Sequence, residues 1–223
     1  MNAKDIKPNK LKCMIYGKSG TGKTEFACTF PHPLVIDCDG GMLSQMGKDV
    51  EYITVRTYED FLSAITAAEK DDKCETIVID SITMLQELMQ EAILMLNNKK
   101  SMDLKCWAIL VDMFQQLFTK LTYKNKHVIV TAHEQLITDE ITGAIQILPL
   151  IVGRKLPNQL PLFFDEVYRA MVGKKLIHGT AVYEYSLVTR ADSKATAKSR
   201  LRLPAKITPP TYKQIVKLIG EKK

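Results

Sequence analysis

The segment Gly17-Lys18-Ser19-Gly20-Thr21-Gly22-Lys23-Thr24 fits the pattern G-x-x-x-x-G-K-[ST] and carries the most specific chemistry in the chain. In such a loop the glycines let backbone N–H groups turn inward around phosphate oxygens. A helix starting there adds the partial positive charge of its N-terminus. Lys23 is placed to reach β- and γ-phosphates and the Thr24 hydroxyl to bind Mg²⁺, while Gly17, Ser19, Gly20, Thr21 and Gly22 supply the cradle. Asp80 closes the apolar run Thr76–Asp80 (TIVID). A carboxylate at the C-terminal end of a buried parallel strand lies where open α/β sheets bind ligands, so Asp80 is the second candidate Mg²⁺ ligand. Ser81 suits the N-cap of the helix that follows, which leaves Asp80 for the metal. Asp37 and Asp39 end the run LVID two residues apart and are candidate water-orienting carboxylates.

These groups need a scaffold, and the pattern supplies one. Leu11–Gly17, Leu34–Asp37, Tyr52–Val55, Thr76–Asp80 and His127–Ala132 read as buried strands. Helical periods separate them: Thr24 to Phe30, then Phe61, Leu62, Ile65 and Ala68, then Ile82 to Leu96, then Trp107 to Leu121. Uninterrupted apolar strands alternating with helices predict an α/β fold, a mostly parallel sheet with helices on both faces. After Glu134 the pattern changes. A hairpin is expected around Asp139–Gly143. Glu166–Val172 and Ala181–Thr189 are expected as an antiparallel C-terminal extension joined through GKKLIHG. Ser193–Arg200 is polar and basic and reads as a mobile loop. Tyr212, Ile215, Val216 and Ile219 suggest a short closing helix. The expected division is a core over 1–189, followed by a basic finger loop and C-terminal helix over 190–223.

Composition narrows the class. At 223 residues, 46% hydrophobic and 25% charged, the chain suits one globular domain. No apolar run approaches the length of a membrane span, and MNAKDIKPNK lacks the apolar stretch of a secretory leader, so no membrane partner and a cytoplasmic location are expected. The five cysteines are odd in number and show no CxxC spacing, against zinc or a disulfide framework. Net charge is +6, but residues 190–223 hold ten Lys/Arg against two acids, leaving 21 against 23 elsewhere. That asymmetry suits an anionic partner, with a solvated basic tail as the plain alternative.

The order GKSGTGKT, LVIDCDGG, TIVIDSIT, VIVTAHE resembles the RecA-like ATPase core. No Glu follows Asp80, as it would in an AAA+ site, and no N-K-x-D follows a strand to read guanine. The resemblance implies ATP as the nucleotide, Asp39 as the catalytic carboxylate and His133 as the residue sensing the γ-phosphate, where RecA itself has Gln. It also matches Lys198-Ser199-Arg200 to the K-x-R element that reaches a neighbouring subunit's nucleotide. From Leu11 to Arg200, adding FDEVYRAMV and KSR, the chain resembles the phage nucleotide-binding proteins of the Sak-four type, minimal RecA cores acting as single-strand annealing ATPases.

That family implies DNA-stimulated hydrolysis, a homo-oligomeric ring or filament, single-stranded DNA as partner and recombination or replication as the setting. A single-strand DNA-binding protein is a further candidate partner. Lys99 and Lys100, at a turn, and Arg202 and Lys206, in the basic segment, are the candidate DNA contacts. The segment after His133, EQLITDEITG, is acidic and a poor phosphate binder. Two alternatives stand beside this reading: a nucleotide-switched binding module or loader with a protein partner, and a P-loop small-molecule kinase.

Overall fold

The computed structural model describes residues 2, 10–138, 140, 143–153, 156–177 and 180–221. The strands are β1 (Lys12–Gly17), β2 (Pro33–Asp37), β3 (Glu51–Thr54), β4 (Thr76–Asp80), β5 (His127–Thr138), β6 (Ile145–Pro149), β7 (Glu166–Ile177), β8 (Thr180–Val188), β9 (Lys198–Ser199) and β10 (Lys206–Ile207). The helices are α1 (Lys23–Ala27), α2 (Tyr58–Lys70), α3 (Ile82–Leu96), α4 (Leu104–Thr122), α5 (Leu156–Gln159) and α6 (Tyr212–Gly220).

The strands join in the order β10-β8-β7-β1-β5-β4-β2-β3, with β6 on β5 and β9 on β7. The central pairs β7-β1, β1-β5, β5-β4, β4-β2 and β2-β3 are parallel. The pairs β5-β6, β7-β8, β7-β9 and β8-β10 are antiparallel. All residues of β1 and β4 are buried, which is why their sequences run apolar without alternation. The pleat divides each strand between two cores. Met14, Tyr16 and Ile36 face α2, α3 and α4 with Phe61, Leu85 and Phe114. Cys13, Ile15 and Val35 face α1 and α6 with Phe26, Phe30 and Ile215. This is the α/β architecture expected, with its antiparallel extension at the C-terminal side.

Helix starts are fixed by short polar side chains. Thr57 and Asp60 form a reciprocal capping box on α2, and Ser81 Oγ and Asp103 Oδ1 accept from the first-turn amides of Met84 and Cys106.

Three features depart from expectation. Both strands of the β7–β8 hairpin run further than the sequence suggests, through Ile177 and from Thr180, so GKK continues a strand; His178 and Gly179 lie outside the described residues. Likewise β5 continues past the core to Thr138; Asp139, Ile141 and Thr142 of the expected hairpin turn lie outside the described residues. Finally, Ser193–Arg200 is not a mobile loop. Ala195 and Ala197 are buried, Ala195 bridges to Ile147, Tyr16 Oη donates to the Thr196 carbonyl, and β9 pairs with β7. The polar and basic content of the segment hides small apolar residues two apart, the spacing that lays one face of an extended chain on a core.

Candidate functional site

The C-terminal ends of the parallel strands set out the site. In register, Gly17 ends β1 beside His133 of β5, and Asp37 lies beside Asp80. Between β1 and α1 the loop Gly17–Thr24 turns over the sheet edge. Gly22, the N-cap of α1, has φ 79°, and Gly20 has φ 76°, the left-handed region that glycine occupies without strain. A Cβ on Gly17 would lie 2.6 Å from the Ala170 carbonyl of β7, so this position admits no side chain. Thr21 Oγ1 donates to the Lys18 carbonyl at 2.8 Å and braces the loop.

Lys23 is buried, and its Nζ donates to the carbonyls of Gly17 (3.1 Å) and Lys18 (2.9 Å). The ammonium is thus held inside the loop it would serve. Burial lowers its pKa, against the opposing pull of the carboxylates of Asp80, Asp39 and Glu134.

Thr24 Oγ1 donates to Asp80 Oδ2 at 2.6 Å, so the two candidate Mg²⁺ ligands already face one another. The other oxygen of Asp80 accepts from Thr131 Oγ1 of β5. Asp80 is 4% exposed, and burial raises its pKa despite these two hydroxyl donors. A desolvated carboxylate that accepts from two hydroxyls, beside a phosphate cradle, fits a hard cation with oxygen ligands. Ser81 caps α3, as its sequence position suggested, leaving Asp80 free for this task.

Asp37 and Asp39 diverge. Asp37 is buried and its Oδ1 accepts from Gly41 N at 3.1 Å, shaping the turn after β2. Asp39 turns to the site: its Oδ1 accepts from Ser81 N (3.0 Å) and Ser81 Oγ (2.7 Å), while Oδ2 lies 3.4 Å from His133 Nε2. The His133 backbone is pinned on both sides. Its N–H donates to Thr83 Oγ1 at 3.0 Å, and its carbonyl accepts from Leu150 N at 2.7 Å. Loop, Thr24, Asp80, Asp39 and His133 therefore meet in one cleft of about 920 Å³.

The remaining candidates lie elsewhere. Ser199 pairs with Glu166, which pairs with Cys13 near the start of β1, the end of the sheet remote from Gly17. There Lys198 Nζ donates to the Pro161 carbonyl at 2.9 Å, and Arg200 is ion-paired with Asp165 at 2.6 Å. The chain does not bring Lys198 and Arg200 to its own phosphate loop. Lys99 is ion-paired with Asp103 and Lys206 with Glu184, while Lys100 and Arg202 are exposed. Tyr212 packs in the α6 interface, its ring 4.7 Å from Phe30 and 5.3 Å from His127.

Sequence reasoning missed two partners in the site. Thr131 carries no motif and gains its role from standing beside Asp80 across the β4–β5 register. Glu134 reads as part of an acidic stretch, yet its side chain is buried and makes two bonds to Arg169 of β7 (3.0 and 3.3 Å). Only their distant pairing in the fold reveals it.

A family model described as an AAA domain matches residues 9–201, and the chain belongs to that family. No curated protein matches the sequence. Among solved structures it is similar to a KaiC-like protein of the hyperthermophilic archaeon Pyrococcus horikoshii OT3, with 15% identity, a TM-score of 0.52, and coverage of 82% of this chain and 80% of that one. The fold is accordingly that of a RecA-like P-loop ATPase. Among the described residues no helix is long and apolar enough to cross a membrane.

Proposed function

We propose that the chain is a Mg²⁺-dependent ATPase of the Sak-four type, acting on single-stranded DNA as a homo-oligomer in phage recombination or replication. The observation that carries the reading is the meeting of Thr24, Asp80, Asp39 and His133 at one sheet edge beside the phosphate loop. The loop amides and Lys23 hold the triphosphate, and Thr24 and Asp80 would hold Mg²⁺, which supplies charge neutralisation on the phosphate oxygens. Asp39, steadied by Ser81, orients the attacking water. His133 reads the γ-phosphate and passes its position to β5. Lys198 and Arg200 complete a neighbour's site, and Lys99, Lys100, Arg202 and Lys206 are the candidate DNA contacts.

A second reading, a nucleotide-switched module or loader bound to a protein partner, is favoured by two features. Both oxygens of Asp39 already face partners, and β5 runs from His133 into a hairpin with Leu136 and Ile137 exposed. Turnover of ATP by the purified chain, with and without single-stranded DNA and beside Lys23→Ala, separates the two. DNA-stimulated hydrolysis lost in the variant supports the ATPase. Binding of ATP without DNA-dependent turnover favours the switch.

A further inference from the structure

The cleft extends beyond the phosphate loop, and its further wall carries groups that the phosphate chemistry does not use. Tyr183 and Tyr185 lie two apart on β8, so their side chains leave the same face of the hairpin. Tyr183 is 58% exposed and Tyr185 42%, and both line the cleft. Tyr185 lies directly over the phosphate loop, its Cδ1 3.2 Å from where a Cβ on Gly22 would stand. The segment Thr208-Pro209-Pro210-Thr211 lines the same cleft. It is tied to the far end of the α1 segment, where Tyr212 N donates to Thr29 Oγ1 at 2.9 Å. On the phosphate-site reading above, a triphosphate would be anchored at the opposite end, where Thr24 meets Asp80.

We infer that Tyr185, with Tyr183 and Pro209-Pro210, forms the seat for the base of the bound nucleotide, holding it by stacking and favouring purines over pyrimidines. Two half-bare aromatic rings and two proline rings offer flat apolar faces within reach of a ligand fixed by its phosphates. Two of the neighbouring hydroxyls are engaged in the scaffold. Thr29 Oγ1 donates to the Phe26 carbonyl while accepting from Tyr212, and Thr211 Oγ1 caps α6. Glu184, between the two tyrosines in sequence, is held by Lys175 (2.8 Å) and Lys206 (3.0 Å). Since Lys206 lies on β10, just before the proline segment, the Glu184–Lys206 pair links the two walls. A seat of ring faces reads the area of a base more than its edge, so ATP and GTP should bind alike and CTP more weakly.

The inference rests on the phosphate-site reading above, and tripolyphosphate separates the two. Binding of ATP, GTP, CTP and inorganic tripolyphosphate, each with Mg²⁺, would be measured by calorimetry on the full chain, on Tyr185→Ala and on Tyr185→Phe. Loss of one stacking partner should weaken ATP and GTP by about tenfold in Tyr185→Ala, with tripolyphosphate changed less than about twofold and Tyr185→Phe close to the parent. If tripolyphosphate binds but Tyr185→Ala leaves ATP unchanged, or weakens both ligands equally, the base seat is overturned and the phosphate site stands. Weakened oligo(dT) binding with unchanged ATP binding would assign the rings to DNA and equally overturn it. If the parent chain binds neither ATP nor tripolyphosphate, the phosphate-site reading fails and the base seat with it.

Discussion

At the scale of single residues, Asp80 shows the conflict between stability and function most directly. Its carboxylate is buried with two hydroxyls for company, and burial raises its pKa. A carboxyl whose pKa rises on folding opposes folding above that pKa, and the opposition is relieved as pH falls. Asp80→Asn removes the charge and keeps the shape, and the Thr24 and Thr131 hydroxyls can turn to accept as well as donate. The nucleotide-free variant should therefore melt higher by about 2–4 °C while losing Mg²⁺-dependent nucleotide binding. A lower melting temperature would show that the carboxylate is well compensated in the free protein. The pair Asp39 and His133 makes a different demand. Their side chains stand 3.4 Å apart. If they handle one water and one phosphate oxygen as a unit, the double variant Asp39→Ala/His133→Ala should lose no more turnover than the worse single variant. Losses that multiply would assign them independent roles.

At the scale of elements, the junction of β1, β5 and α6 sets a pH limit on the fold. His127 opens β5 and is buried, with Nδ1 accepting the Leu11 amide at 3.0 Å and Phe30 and Tyr212 against its ring. Burial, then the charges of Lys10 and Lys12, lower its pKa to about 4. The unfolded chain takes up a proton on this residue near pH 6.5 while the folded one resists it. Stability is therefore complete above about 6.5 and declines as pH falls towards 4, by up to roughly 3 kcal/mol over that span. Urea unfolding midpoints should fall between pH 6.5 and 5, and His127→Gln should flatten that slope; an unchanged slope would place the titration elsewhere. The same junction shows what the sequence could and could not tell. The buried strands and the helix faces were legible because apolar run and period depend on nearby residues alone. So was the phosphate loop, whose spacing is local, and with it Asp80 at a strand end. Thr131 and Glu134 were not legible, because their meaning comes from β4 and β7, which reach them only through the sheet order. The edge strand β9 was obscured because two buried alanines among lysines and serines carry little hydrophobic signal.

At the scale of the whole molecule, the position of Lys198 and Arg200 turns an expectation into a geometric demand. They sit beside the start of β1, whereas the phosphate loop begins at its end. Lys198 is also half-buried, and burial and the neighbouring Arg200 charge lower its pKa. Arg200 keeps its side chain at the surface, ion-paired with Asp165. Such exposed pairs are worth little, so the guanidinium can exchange Asp165 for a stronger anion at modest cost. The proposed role in a neighbour's site requires that anion to be another copy's phosphate. Mixing then tests it. Lys23→Ala destroys a copy's own phosphate loop, and Arg200→Ala destroys what it offers its neighbour. Each variant alone should be inactive. In a one-to-one mixture, a working site needs an intact loop from one copy and an intact arginine from the next, so turnover should return to about one quarter of the parent level. Recovery of that size would establish a shared site; a two-fold dimer that exchanges arginines gives the same one quarter, so sedimentation of the active assembly then separates a dimer from a head-to-tail ring or filament. An active Arg200→Ala chain would remove the arginine from the reaction. Two inactive variants that fail to recover on mixing, under conditions where the copies exchange, would place both requirements in the same copy and sink the shared site.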